Sequence, residues 1–127
     1  MDKLLIKKLK KLFNEYSCIK LGYVLSFKAR RANGFNMAYT FAVYLNQSSN
    51  LRRFNFKLKL MRALSELLET EKIDVFVLND DISSSLKFSF IKEGILLKEV
   101  EPYGVIVEPR ILNEYWDFKL MYDKVFK

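Results

Sequence analysis

The sequence predicts one α/β or α+β domain built on a mixed sheet, and three observations predict it. Short β-rich runs of Val, Ile, Phe and Tyr alternate along the chain with segments of helical periodicity. The 127 residues, half of them apolar and 29% charged, suit a single core that needs neither disulfide nor metal. No repeat, low-complexity tract or linker divides them.

Leu5, Leu9, Leu12 and Tyr16 recur at helical spacing, with Lys3, Lys7, Lys10 and Lys11 off that stripe, which predicts an amphipathic helix over roughly residues 2–16. Its lysine face is either an ordinary solvated surface or a contact for nucleic acid or a membrane surface. Ile19 to Phe27 alternates at first and reads as a strand. Lys28 to Asn36, basic and then Asn33-Gly34, reads as a loop, and the apolar run 38–45 as a second strand. After the polar stretch 46–50, Phe54, Leu58, Met61, Leu64 and Leu68 mark a helix over roughly 52–70.

Ile73 to Leu78 is a short strand of buried type. Asp81, or a serine after it, can cap a helix that runs to about Glu93 and stops at Gly94. Ile95 to Val100 reads as a short extended piece. Residues 103–126 read as mainly helical with an interruption near Pro109. That last segment holds more apolar residues than one helix face can bury. Leu112, Tyr115 and Trp116 are expected in the core and part of the last turn at an interface.

Composition excludes several chemistries. There is no histidine, so Ser-His and Cys-His nucleophile pairs and His-ligated metals are ruled out. Cys18 is alone and makes no disulfide framework; it is expected to be a buried, inert thiol. No run of about 18 apolar residues is present, and the early lysines break any signal-peptide core, so a cytoplasmic location is expected. The net charge of +7 is uneven. Residues 1–53 carry eleven Lys/Arg against Asp2 and Glu15, and residues 54–127 eleven against thirteen acids. An anionic partner would meet the front half.

The order of strand, Ser-containing turn, loop, strand, long helix and third strand ending Leu78-Asn79-Asp80 resembles the minimal nucleotidyltransferase (MNT) family. These are small relatives of the polymerase β-type nucleotidyltransferases. Three stretches carry the resemblance: Ile73-Asp74-Val75-Phe76-Val77-Leu78-Asn79-Asp80, Phe90-Ile91-Lys92-Glu93-Gly94-Ile95-Leu96-Leu97, and Tyr115-Trp116-Asp117-Phe118. Their order and spacing are like those of MNT-type antitoxins, which sit beside HEPN-domain toxins. The resemblance implies a nucleotidyltransferase (polymerase β-like) fold over residues 1–127, a mixed sheet flanked by helices.

The resemblance also implies where chemistry would reside: a Gly-Ser turn and an Arg-containing loop for the triphosphate, an Asp-x-Asp strand and a third carboxylate for divalent metal. Here the turn reads Leu25-Ser26, without the glycine that lets backbone approach phosphate closely. Lys28-Ala29-Arg30 resembles the basic loop. Ala38 and Thr40 stand where the paired aspartates belong, and Asp74 alone keeps the third position, either as a relic paired with a Lys or Arg or as a surface residue. Asp80 and Asp81 could replace them, but helix capping explains those two more simply.

The expectation is therefore an MNT-type antitoxin-like protein without catalytic residues, metal or cofactor, binding and neutralising a HEPN-type ribonuclease toxin, with a second copy of itself as a further partner. Ser26, Lys28 and Arg30 would hold residual phosphate. The first alternative is an active ATP- and magnesium-dependent adenylyltransferase using Asp74, since active members of the family transfer AMP to a tyrosine of the toxin. The second is a basic nucleic-acid-binding module. It ranks lower because the helix lysines and Arg30-Arg31 are expected on separate patches. The basic loop itself can be a solvated loop, a phosphate loop or a contact for an acidic partner.

Overall fold

Two long antiparallel strands, β1 (Ile19–Arg31) and β2 (Gly34–Leu45), form the centre of the sheet. The computed structural model describes the backbone of residues 2–31 and 34–126 and the side chains of 2–26 and 38–125. Around the hairpin come α1 (Lys3–Asn14), α2 (Asn50–Leu68), β3 (Ile73–Val77), α3 (Ser84–Glu93), β4 (Ile95–Glu99) and α4 (Tyr103–Phe126). The strand order is β3-β2-β1-β4, with β3 parallel to β2 and the other pairs antiparallel. The sheet is mixed, as expected.

Alternation along the strands sorts the side chains onto two faces. Val24, Phe41, Val43 and Val75 point into one core with Leu9 and Phe13 of α1 and Leu60 and Leu64 of α2. Tyr23, Ala42 and Leu78 point into the other with Phe90 of α3 and Val107 and Ile111 of α4. Gly22 makes room for the fully buried Phe13 ring, whose edge would collide with any Cβ there. The molecule is thus three-layered, with α1 and α2 on one side of the sheet and α3 and α4 on the other.

Local chemistry fixes the helix ends. Asp2 caps α1 by accepting from Leu4 N at 3.2 Å. At its other end Lys98 of β4 donates to the carbonyls of Tyr16 at 2.8 Å and Phe13 at 3.3 Å. An ammonium there offsets both the orphan carbonyls and the negative end of the helix dipole. Burial, and next the nearby Lys20 charge, push the Lys98 pKa down.

Several expectations are corrected. Residues 28–31 and 34–36 are strand, not loop, because β1 and β2 keep pairing as far as Arg31 and Gly34. Neither β3 nor β4 accompanies them there, so the hairpin runs on as a two-stranded ribbon beyond Val24 and Tyr39. Asn33 lies outside the described residues. In α2, Phe54 and Leu58 are about half exposed, and Arg53, Leu60 and Leu64 face inward instead.

The α3 cap is Ser83, one of the serines expected after Asp81, and it accepts from Leu86 N at 3.0 Å. Helix α4 continues through Pro109. The carbonyl that loses its donor belongs to Val105, a residue that is 74% exposed. Trp116 is 48% exposed and not a core residue. It stands edge-on to Tyr115, which stacks on Phe88 with centroids 3.9 Å apart. Cys18 is free and half-buried, with its thiol pKa raised by burial.

Candidate functional site

Strands β2 and β3 build the face on which the resemblance would place a metal. Thr40 lies directly opposite Asp74 in the parallel register, and Ala38, two residues before Thr40, shares its side. The three positions singled out in the sequence therefore converge on one face, the one covered further along by α3 and α4. Asp74 is exposed, and among the described residues it has no ion pair.

Divalent magnesium needs a near-octahedral set of oxygens and is held by proteins through converging carboxylates and substrate phosphates. A methyl, a hydroxyl and one solvated carboxylate do not make that set. Among the described residues no three acidic or cysteine side chains cluster so as to hold a metal ion. The residues of this face do not fit the group that the family implies.

The phosphate half of the site falls elsewhere. Ser26 pairs with Tyr39, so it belongs to the opposite face of the sheet from Thr40 and Asp74, on the side of α1 and α2. It is a strand residue paired within the ribbon, and its neighbour Leu25 is the one that faces Thr40. Lys28 and Arg30 are strand positions opposite Met37 and Phe35, and their side chains lie outside the described residues. The structure brings Ala38, Thr40 and Asp74 together and separates Ser26 from them.

Asp80 is held by Arg53. The guanidinium is 8% exposed, donates to Asp80 at 3.0 Å and to the Gln47 carbonyl at 2.9 Å, and also donates to Asn50. This clamp ties the start of α2 to the end of β3. Asn79 adds a second clasp, its amide exchanging two hydrogen bonds of 2.9 Å with the backbone of Leu45.

A cavity of about 420 Å³ opens beside this clamp, at the far ends of β2 and β3 from Asp74. Tyr44, Asn79, Lys87, Tyr103, Arg110 and Glu114 are among its lining. Tyr44 lies four residues from Thr40, about 13 Å along the strand, so the cavity is a separate place. Sequence reasoning missed it because its polar residues come from four separate elements with no shared motif.

Lys72, just before β3, has a buried ammonium without a hydrogen-bond partner among the described residues, and its carbonyl accepts from Tyr39 N at 3.1 Å. Among the described residues no helix is long and apolar enough to cross a membrane.

No protein-family model and no curated protein matches the chain. Solved structures do. A mutant of the toxin–antitoxin MntA-HpeT matches 98% of this chain and 95% of its own, at 15% identity and a TM-score of 0.65. A structure from Shewanella oneidensis matches the same shares at 13% identity and a TM-score of 0.64. A toxin–antitoxin with AMP-PNP does so at 14% identity and a TM-score of 0.64. At such identity the likeness is one of fold, and it extends over nearly the whole molecule. The chain has the nucleotidyltransferase fold, a mixed four-stranded sheet flanked by helices, that these structures share.

Proposed function

We propose that the chain is an MNT-type antitoxin-like protein of the cytoplasm that binds a HEPN-type ribonuclease toxin and neutralises it without nucleotidyl transfer. The observation that carries this reading is the whole-length likeness in fold to the toxin–antitoxin MntA-HpeT. The single carboxylate beside Ala38 and Thr40 supports the non-catalytic half of the reading, since one ligand cannot anchor the metal that transfer needs.

The end of α4 supports the binding half. From Trp116 to Val125 nearly every described residue is exposed, Phe118, Leu120, Met121 and Val125 among them. An apolar helical segment uncovered around its circumference gains little stability in water and much from a partner. The toxin is the proposed occupant, and a second copy of the chain is the competitor the test must separate.

The test is co-expression with a HEPN-type ribonuclease toxin, followed by size exclusion. A co-eluting complex that relieves toxicity is expected, weakened at least tenfold when Trp116→Asp and Met121→Asp are combined. Separate elution with undiminished toxicity would contradict the reading, and so would self-association that leaves the toxin free.

A further inference from the structure

The fold sorts charge by layer. Helix α1 carries Lys3, Lys7, Lys8, Lys10 and Lys11 and no acid, and all five lysines are exposed. Helix α2 carries Arg52, Arg53, Lys57, Lys59 and Arg62 against Glu66 alone. The α3–α4 side holds five basic residues against five acidic ones. Ten to one on one side and five to five on the other means that the net charge resides on the α1–α2 layer.

That layer is one surface. Helix α1 packs on β1 and β4, α2 on β3, both on the same side of the sheet. The turn after α1 meets α2 where the Tyr16 ring stands edge-on to Phe56 at 5.3 Å, with the Lys59 ammonium 5.7 Å from the Tyr16 ring centre. Two of the ten cations are spoken for, Arg53 by Asp80 and Arg62 by an exposed contact of 3.6 Å to Glu66. The others have no ion-pair partner among the described residues. Sequence reading set the α1 lysines against Arg30 and Arg31; the structure joins them instead to α2.

Exposed apolar groups sit among these charges. Leu51, Phe54 and Leu58 form a ridge along α2, 68%, 53% and 50% exposed. Phe54 stands one turn from Lys57 on the same helix with its ring half exposed, so a base can stack on it while basic residues of the layer take up phosphate. A membrane surface fits less well, because the apolar stripe of α1, with Leu9 and Phe13 wholly buried, is already used by the core.

We infer that the α1–α2 layer is a binding surface for single-stranded nucleic acid, with the lysines of α1 and the basic residues of α2 on the phosphates and Phe54 stacking a base. The surface lies across the sheet from α4, so the binding is independent of the toxin contact proposed above and leaves that face free.

The test is fluorescence anisotropy with the full-length protein and a labelled oligouridine of about 20 nucleotides. Micromolar or tighter binding is expected at about 100 mM salt. With four to five phosphates neutralised on a single strand, affinity should fall roughly a hundredfold between about 50 and about 200 mM salt. Lys8→Glu with Lys11→Glu should weaken binding at least tenfold, and Phe54→Ala about fivefold or more. These side chains are exposed, and circular dichroism checks that the variants remain folded. Lys124→Glu, on the other layer, should leave the affinity unchanged.

Absence of binding at about 50 mM salt overturns the inference. So does equal loss from Lys124→Glu, or no loss from Phe54→Ala. Competition by polyglutamate at equal charge concentration would assign the surface to an acidic protein instead. Preferential partition onto phosphatidylserine vesicles would assign it to a membrane, and either result also overturns the inference.

Discussion

Tyr23 shows how a single side chain links the two halves of the fold. It is 3% exposed, and its hydroxyl donates to Glu108, which joins β1 to α4. Burial, and next the hydrogen bond to that carboxylate, push the phenol pKa well above its ordinary 10.0. Below that value the phenol keeps its proton folded or unfolded. Above it the unfolded chain loses the proton while the native state retains it, so stability falls as pH rises. Tyr23→Phe should cost about 1 kcal/mol at neutral pH and flatten the loss of stability above pH 10, measured by urea unfolding across that range. Lys72 argues in the opposite direction. Among the described residues its buried ammonium has no hydrogen-bond partner, so Lys72→Met should raise stability by about 1–3 kcal/mol in the same assay. Neither residue was legible in the sequence, because each owes its state to a neighbour, or the lack of one, that only the tertiary fold supplies.

At the scale of elements, existence and type could be read from periodicity, and phase could not. The helix over roughly 52–70 is present as α2, yet the apolar residues that marked it straddle two faces. Arg53 took an inward position because Asp80, Asn50 and the Gln47 carbonyl satisfy its guanidinium, which turns Phe54 outward. Leu64→Ala should therefore cost about 2–5 kcal/mol, while Phe54→Ser should stay within about 0.5 kcal/mol, measured by chemical denaturation. Equal costs would mean the helix is rotated. The ribbon was misread for a related reason. An Asn-Gly pair between β-rich runs is a hairpin signal in its own right, and the basic residues around it drew the reading towards a loop. The break expected at Pro109 did not occur: α4 runs from Tyr103 to Phe126, and Val105, whose carbonyl loses its donor, is an exposed residue of the helix.

For the whole molecule, alternating strands and helices implied the mixed sheet, and the Ile73–Asp80 stretch implied the family's topology. Both were legible because core patterning is a property of the chain itself. The site was half legible. Register put Ala38, Thr40 and Asp74 on one face, as spacing and resemblance implied, but Ser26 fell on the other because continuous pairing with β2 replaced a turn. A single added residue in a strand reverses the side on which everything beyond it points. Divided in this way, and with Asp74 as the one carboxylate beside Ala38 and Thr40, the face lacks the converging carboxylates that a magnesium ion needs. The proposal of binding without transfer rests on that face and on the exposed end of α4.

The most direct measurement of that claim follows labelled AMP. The chain, alone and with the HEPN-type toxin that co-elutes with it, is incubated with ATP carrying a labelled α-phosphate and with magnesium or manganese. Protein-bound label is then read on a denaturing gel. The account predicts no incorporation above that of the Asp74→Ala variant, with the two proteins still associating. Robust transfer of AMP that disappears on Asp74→Ala would contradict it and restore the site as an active one.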